Sequence, residues 1–482
     1  MISHQLLKGV LTYGGADFLF RLIGFAIFPV YANIFSVADF GLMAILSVSA
    51  GLMGMLLNMG VNNAVQRFYW DPETLDGHHA ILVSAGLRQL VVYGAIVTVA
   101  IIFSLYGASQ FIYDRFGIGW ELLILALLAI LPDQIVQYAL DILRLQFSPY
   151  RFMILSFLKN IMGIVIGLWL IVWCDEGLHG FFEGNLISLI FTMPLALLLI
   201  RKELVWSLNK EAAKKIFHFG YPFIFTGLAY WIFGSMDRWL IAELSNTAEV
   251  GIFSIAFKFS AVIIFINSAF SQAWSPYAVK LMRDDKNYRV TYSSVLSALF
   301  FILAIIGCAM ALFADELLVF LTPVEYWPAA RVIGLVAMGL VFFGTTQITA
   351  LGISLEKKTR ILSYGAWLAA LVNFLLNIAL IPNYGAIGSA LSTLVAYLTL
   401  TCFYLYWTQK LHPIPLEMRK LIYSAMVVLI GLLSPFFLSA FRSSGILLIC
   451  KLLLLGFLIG GAWFFQILNE KWFRNFHFKG KW

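Results

Sequence analysis

Charge is scarce in this chain. Only 12% of its 482 residues are Asp, Glu, Lys or Arg, against about 25% in a soluble domain. Polar gaps are short as well, and none is long enough to fold as a separate soluble domain. Cysteine is limited to Cys174, Cys308, Cys402 and Cys450, all in or beside apolar stretches and without a CxxC pair. That excludes a disulfide framework and a thiolate zinc site. No HExxH, GxSxG, Walker A loop or strand-linked GxGxxG occurs, and the seven His are scattered, with His78-His79 a loop pair. The N-terminal run MISHQLLKGVLTYGG has no small-residue cleavage site behind a short apolar core. The first helix is therefore expected to be retained as its own insertion signal.

What is present is hydrophobic length. The chain is 61% hydrophobic, in stretches of roughly 20 residues, the length that crosses about 30 Å of hydrocarbon. Backbone polar groups in lipid must be satisfied internally, and runs such as Ile124 to Leu131 do not alternate as barrel strands would. The expected fold is an all-α polytopic membrane protein. About fourteen spans are read at 9–34, 40–64, 80–107, 120–143, 152–174, 180–200, 217–242, 249–273, 291–313, 328–354, 361–381, 385–407, 420–440 and 445–466.

A signature recurs. Ser36-Val37-Ala38-Asp39-Phe40-Gly41-Leu42 returns 210 positions later as Asn246-Thr247-Ala248-Glu249-Val250-Gly251-Ile252. Arg151 and Arg360 open the fifth and eleventh spans, and Gly177-x-x-Gly180 is matched by Gly385-x-x-Gly388, at nearly the same offset. Six spans per copy is an even number, so the two copies run parallel. The expected division is an N-terminal lobe at 1–204, a cytoplasmic linker helix at 205–216, a second lobe at 217–410, and two further helices with a basic tail at 411–482.

Basic residues test this register. With the N-terminus inside, most of the 32 Lys and Arg fall in inner gaps, while the outer gaps hold Arg115 and Arg442. This is the positive-inside bias, and it accounts for the net charge of +7 without a nucleic-acid partner. The linker sequence KEAAKKI reads as a basic amphipathic surface helix. The tail NEKWFRNFHFKGKW suits the inner headgroup layer.

Seven basic residues remain in or at the ends of spans. Arg88, Lys159, Arg331 and Lys451 lie near span ends and are expected to snorkel. Arg21, Arg238 and Lys258 are deeper, where an unpartnered charge costs about 2.5–3.5 kcal/mol. Asp17 is four residues before Arg21 and can pair with it. Asp133 and Asp141, with Gln134 and Gln137, share roughly one face of the fourth span. Such residues either pair to fix helix packing or line a polar cavity with excess positive charge. A cavity of that sign attracts phosphate oxygens.

A second set is neutral apart from one acid. Asn373 and Asn377 are one turn apart on the eleventh span, as are Ser389 and Thr393 on the twelfth. With Asp237 they offer one carboxylate and several neutral oxygens, which suits a hard cation such as Na+. The competing reading is interhelical hydrogen bonding. The deep charges are not duplicated: Asp237 and Arg238 align near Ile27 and Phe28. Any cation site is therefore expected only in the second copy.

The segments ADFGLM at 38–43, AVQRFYW at 64–70, GSMDRWLIAELSNTAEVGIFSIAFK at 234–258, LEKKTR at 355–360 and IPNYGAIGSALSTL at 381–394 occur in order. This ordered set resembles the Wzx-type polysaccharide flippases of the multidrug/oligosaccharidyl-lipid/polysaccharide exporter superfamily, across the first twelve spans. The resemblance implies two six-helix lobes in a V, and no enzyme. It implies movement of an undecaprenyl-pyrophosphate-linked oligosaccharide across the bacterial inner membrane by alternating access, with both termini cytoplasmic. Arg21, Arg238 and Lys258, with Arg88 and Asp17, would hold the substrate. Asp237, Asn373, Asn377 and Thr393 resemble a cation site, with Asn377 in place of a second acid. No cofactor is implied beyond a coupling Na+ or H+. The implied partners are the lipid-linked glycan, membrane lipids, a polysaccharide polymerase and a chain-length regulator. A cation-coupled drug exporter is the alternative, although it would want an acidic cavity. A membrane-embedded polymerase would want a large outer loop or a His/Asp cluster.

Overall fold

The computed structural model describes residues 23–71, 79–206, 209–356, 358–438 and 445–467. Among them every regular element is helical and there is no strand. Among the described residues eleven helices are long and apolar enough to cross a membrane. This is fewer than the fourteen spans read from the sequence. Of the first span only a short apolar helix, Ile23–Ile34, is described. The eleventh and twelfth form one run, Arg360–Leu411, which bends at Gly385 with φ 51° and ψ −128°. That bend folds the run back on itself, since Tyr404 donates to the Leu362 carbonyl at 2.8 Å. The four cysteines are free.

The chain packs as two compact units. One comprises residues 1–31 and 42–231, the other 32–41 and 232–482. In the first, helix Ile130–Leu145 packs against Gly177–Ile200 and His79–Phe116. Tyr138 is buried there and donates to the Val83 carbonyl at 2.7 Å. The basic helix Lys210–Gly220 lies against Val61–Phe68, with Lys215 Nζ 4.6 Å from the centre of the Phe68 ring. In the second unit, helices Tyr288–Leu312, Ala330–Thr349 and Met418–Leu438 pack mutually, and Ala330–Thr349 also packs on the long Thr359–Leu411 run.

The repeated signature has a physical basis in helix starts. Ser36 and Asp39 form a capping box: Asp39 N–H donates to Ser36 Oγ at 3.2 Å, and Ser36 N–H donates to Asp39 Oδ2 at 3.1 Å. In the second copy Asn246 Oδ1 caps Glu249 N–H at 2.9 Å, and the Glu249 carboxylate accepts from Ala386 N–H at 2.8 Å, just past the Gly385 bend. The glycines serve a crossing. A Cβ at Gly41 would overlap the Thr247 carbonyl, and a Cβ at Gly251 would overlap the Val37 carbonyl. Each copy meets the other at equivalent positions, and both lie in the second unit. Lipid gives helices no hydrophobic reason to associate, so small residues that admit close backbone approach are what join them.

Two basic residues expected to snorkel instead find partners in the protein. Lys451 is 3% exposed and its Nζ meets Glu316 Oε1 at 2.6 Å. Lys159 lies in a π-helical turn, Leu158–Met162, and pairs with Asp133 Oδ1 at 2.7 Å. Both ammonium groups meet a carboxylate on another helix, and that carboxylate is itself partly exposed. Arg331 is exposed.

Candidate functional site

Asp237 opens the short helix Asp237–Leu244, which follows Pro222–Ser235 after a break at Met236. A carboxylate in the first turn faces the positive end of the helix. The bend at Gly385 brings Asn373 and Asn377 from one arm, and Ser389 and Thr393 from the other, to this carboxylate. Asn377 Nδ2 donates to Asp237 Oδ1 at 2.8 Å and to Asn373 Oδ1 at 3.0 Å. Thr393 Oγ1 donates to Asp237 Oδ2 at 3.1 Å, and Asn373 Nδ2 reaches Thr393 Oγ1 at 3.5 Å. All five side chains are at most 1% exposed. The residues grouped from helical spacing therefore form one hydrogen-bonded set, which Ser389 joins through its carbonyl, the acceptor of Thr393 Oγ1 at 3.0 Å. Within it Asn377 Oδ1 and Ser389 Oγ are buried without a hydrogen-bond partner. Unsatisfied buried oxygens are costly, and beside a carboxylate they are the donors a hard cation uses. The residues present thus fit Na+. Among the described residues no group of three His, Cys, Asp or Glu could hold a metal ion.

Arg238, the next residue, is 6% exposed. Its guanidinium donates to the Gly234 carbonyl at 2.8 Å and lies 4.4 Å from the Phe257 ring centre and 5.0 Å from that of Phe253. Two aromatic faces thus take the place of water around the charge. Sequence reading missed this clamp, although Phe253 and Phe257 are one turn apart and so share a face. Lys258 is half-buried on the same helix, Thr247–Asp284. Arg88 is half-buried on His79–Phe116. Asp17 and Arg21 lie outside the described residues.

The first unit holds a second polar set that was only partly foreseen. Asp141, 8% exposed, accepts from Asn62 Nδ2 at 2.7 Å. Asn58 Nδ2 donates to Asn62 Oδ1 at 2.8 Å and to Gln134 Oε1 at 3.1 Å. Asp133 and Asp141, eight residues apart, thus take different partners, Lys159 and Asn62. The overlooked signal was Asn58 and Asn62, an i,i+4 amide pair spanning the break between helices Val37–Asn58 and Val61–Phe68.

Membrane-length helices, with carboxylates and amides buried among them, define a multi-pass membrane protein that keeps polar groups in its interior. The chain belongs to the polysaccharide biosynthesis protein family, whose pattern matches residues 30–331. It is 21% identical to an uncharacterized membrane protein of Methanocaldococcus jannaschii over 97% of both chains. Among solved structures it is similar to the lipid II flippase MurJ in an inward closed conformation (TM-score 0.73, 16% identity, covering 95% of this chain and 99% of that one). It is also similar to an inward-facing multidrug resistance transporter of the MATE family in the MOP superfamily (TM-score 0.65, 14% identity, covering 83% and 94%). The two solved structures are a flippase and a transporter by name, and the likeness to them is one of fold. The multi-pass membrane fold read from the sequence is therefore the observed one.

Proposed function

We propose that this protein carries an undecaprenyl-pyrophosphate-linked oligosaccharide, the repeat unit of an O-antigen, capsule or exopolysaccharide, from the inner to the outer leaflet of a bacterial inner membrane. Movement is by alternating access and is driven by an ion gradient, with both termini cytoplasmic. The observation that carries the reading is the presence of carboxylates, amides and cationic side chains among the membrane-length helices of both units. A carrier of apolar cargo has no use for them. A glycosylated pyrophosphate does, because its headgroup cannot cross about 30 Å of hydrocarbon unaided.

Arg21, Arg88, Arg238 and Lys258, with Asp17, are the groups assigned to the pyrophosphate and adjoining sugar, since guanidinium matches phosphate oxygens. Asp237, Asn373, Asn377 and Thr393 take the coupling Na+ or H+. A polymerase and a chain-length regulator would consume the product on the far side. Complementation of a flippase-null strain tests the reading. Restored surface glycan is expected from the wild type and its loss from an Arg88→Ala, Lys258→Ala double variant that still inserts. Drug resistance without glycan on overexpression would point instead to the drug-exporter class.

A further inference from the structure

The amide set of the first unit opens into a cavity of about 420 Å³, within the size range of small-molecule sites, about 300–1,000 Å³. Its lining includes the amides Asn58, Asn62, Asn63 and Gln134 and the aromatic rings of Phe223 and Tyr230. None of the lining residues is charged. We propose that this pocket is a carbohydrate subsite that reads the sugar of the lipid-linked substrate. The proposal rests on the flippase reading above and adds to it the place where glycan identity is recognised.

The pocket's hydrogen-bonding polarity is set from behind. The buried Asp141 carboxylate takes Asn62 Nδ2, which leaves Asn62 Oδ1 to accept from Asn58 Nδ2. The other Asn58 N–H goes to Gln134 Oε1. Each amide is therefore oriented by the one before it, and such linked polar groups reinforce one another. The sequence ends at Gln134 Nε2, which has room because Gly54 lacks a side chain; a Cβ there would come within 2.8 Å of it.

Oriented amides present both donors and acceptors in fixed directions, which suits hydroxyl and acetamido groups. The Phe223 and Tyr230 rings, both more than a third exposed, offer flat apolar faces for the C–H face of a pyranose. A phosphate would want a cation in the lining, and a cationic drug would want an acid. A neutral polyol wants neither.

The test uses the full-length protein in lipid nanodiscs, with binding read by native mass spectrometry. Three probes are compared: bare undecaprenyl pyrophosphate, the lipid-linked oligosaccharide pool extracted from the native host after deletion of this gene, and the oligosaccharide released from that pool by mild acid. The wild type should bind the glycan-bearing lipid about tenfold or more tighter than the bare lipid, the size of effect expected from one well-made set of hydrogen bonds. Gln134→Leu and Tyr230→Leu, on different helices, should each erase that preference while leaving bare-lipid binding within about twofold. Retention of the preference in both variants overturns the subsite, as does equal weakening of both lipids. A wild type that binds neither lipid overturns the flippase reading instead. In that case Gln134-dependent binding of the released oligosaccharide still supports a sugar pocket, and its absence overturns the pocket as well.

Discussion

The two units each bury one carboxylate among amides, and they use it differently. Around Asp237 every partner is as deeply buried as the acid itself, and two oxygens remain unsatisfied. Around Asp141 only the acid is buried, while Asn58, Asn62 and Gln134 line an open cavity. The dry set offers a carboxylate and unsatisfied oxygens to a desolvated ion. The wet set uses its acid to aim amides outward at a larger ligand. The same residue types thus serve two chemistries, and what separates them is access to water.

The largest effect expected from breaking this contrast is at Asp237. Asp237→Ala removes one of the two acceptors of Asn377 Nδ2 and of Thr393 Oγ1 and leaves the adjacent Arg238 buried without its neighbouring carboxylate. Loss of one partner from a buried charged set costs about 3–5 kcal/mol. Thermal unfolding in detergent should show that loss, and surface glycan should disappear. Asp237→Asn, which keeps the shape, should remain folded while losing both its response to Na+ and ion-driven glycan export.

Asp141→Ala should be milder, about 1–3 kcal/mol, because Asn62 Nδ2 loses an acceptor but borders a cavity that water can enter. Chemical denaturation measures it, and a cost equal to that of Asp237→Ala would erase the proposed difference in solvation. Asn377→Asp sharpens the contrast from the other side. A second carboxylate in the dry set should strengthen cation binding by roughly tenfold, as ligand charge count does elsewhere. The check is the Na+ concentration needed to raise the melting temperature. Smallest of all is Lys159→Met. It removes the pair with Asp133, whose side chain is 37% exposed, and should change stability by less than about 1 kcal/mol. Neither Na+ response nor glycan preference should move.

Helical periodicity made the Asp237 set legible in the sequence. Asn373 with Asn377 and Ser389 with Thr393 share faces by spacing alone, and only the bend at Gly385 was needed to join them. The helix-start chemistry of Ser36, Asp39, Asn246 and Glu249 was visible as a repeat before its hydrogen bonds were. What spacing could not give was the choice of partner across helices. Lys451 looked like a charge at a helix end, yet Glu316, 135 positions away, holds it inside. Arg238 stood out by its charge alone, and the structure adds the rings of Phe253 and Phe257 beside its guanidinium. Rings do not register as charge partners when a sequence is scanned for opposite sign. The pocket amides were hidden for a related reason: Asn58 and Asn62 lie on two helices separated by a break, so their face is continuous only in three dimensions.

The crossing of Gly41 with Gly251 has an evolutionary consequence. A clash between two side chains can be relieved by shrinking either one. Here each glycine already carries the smallest possible side chain, and the nearest atom it faces is a main-chain carbonyl oxygen. Neither position can compensate for a change at the other, so mutational drift at this point has no escape route. A library randomised at both positions and selected for folded protein should return glycine at both.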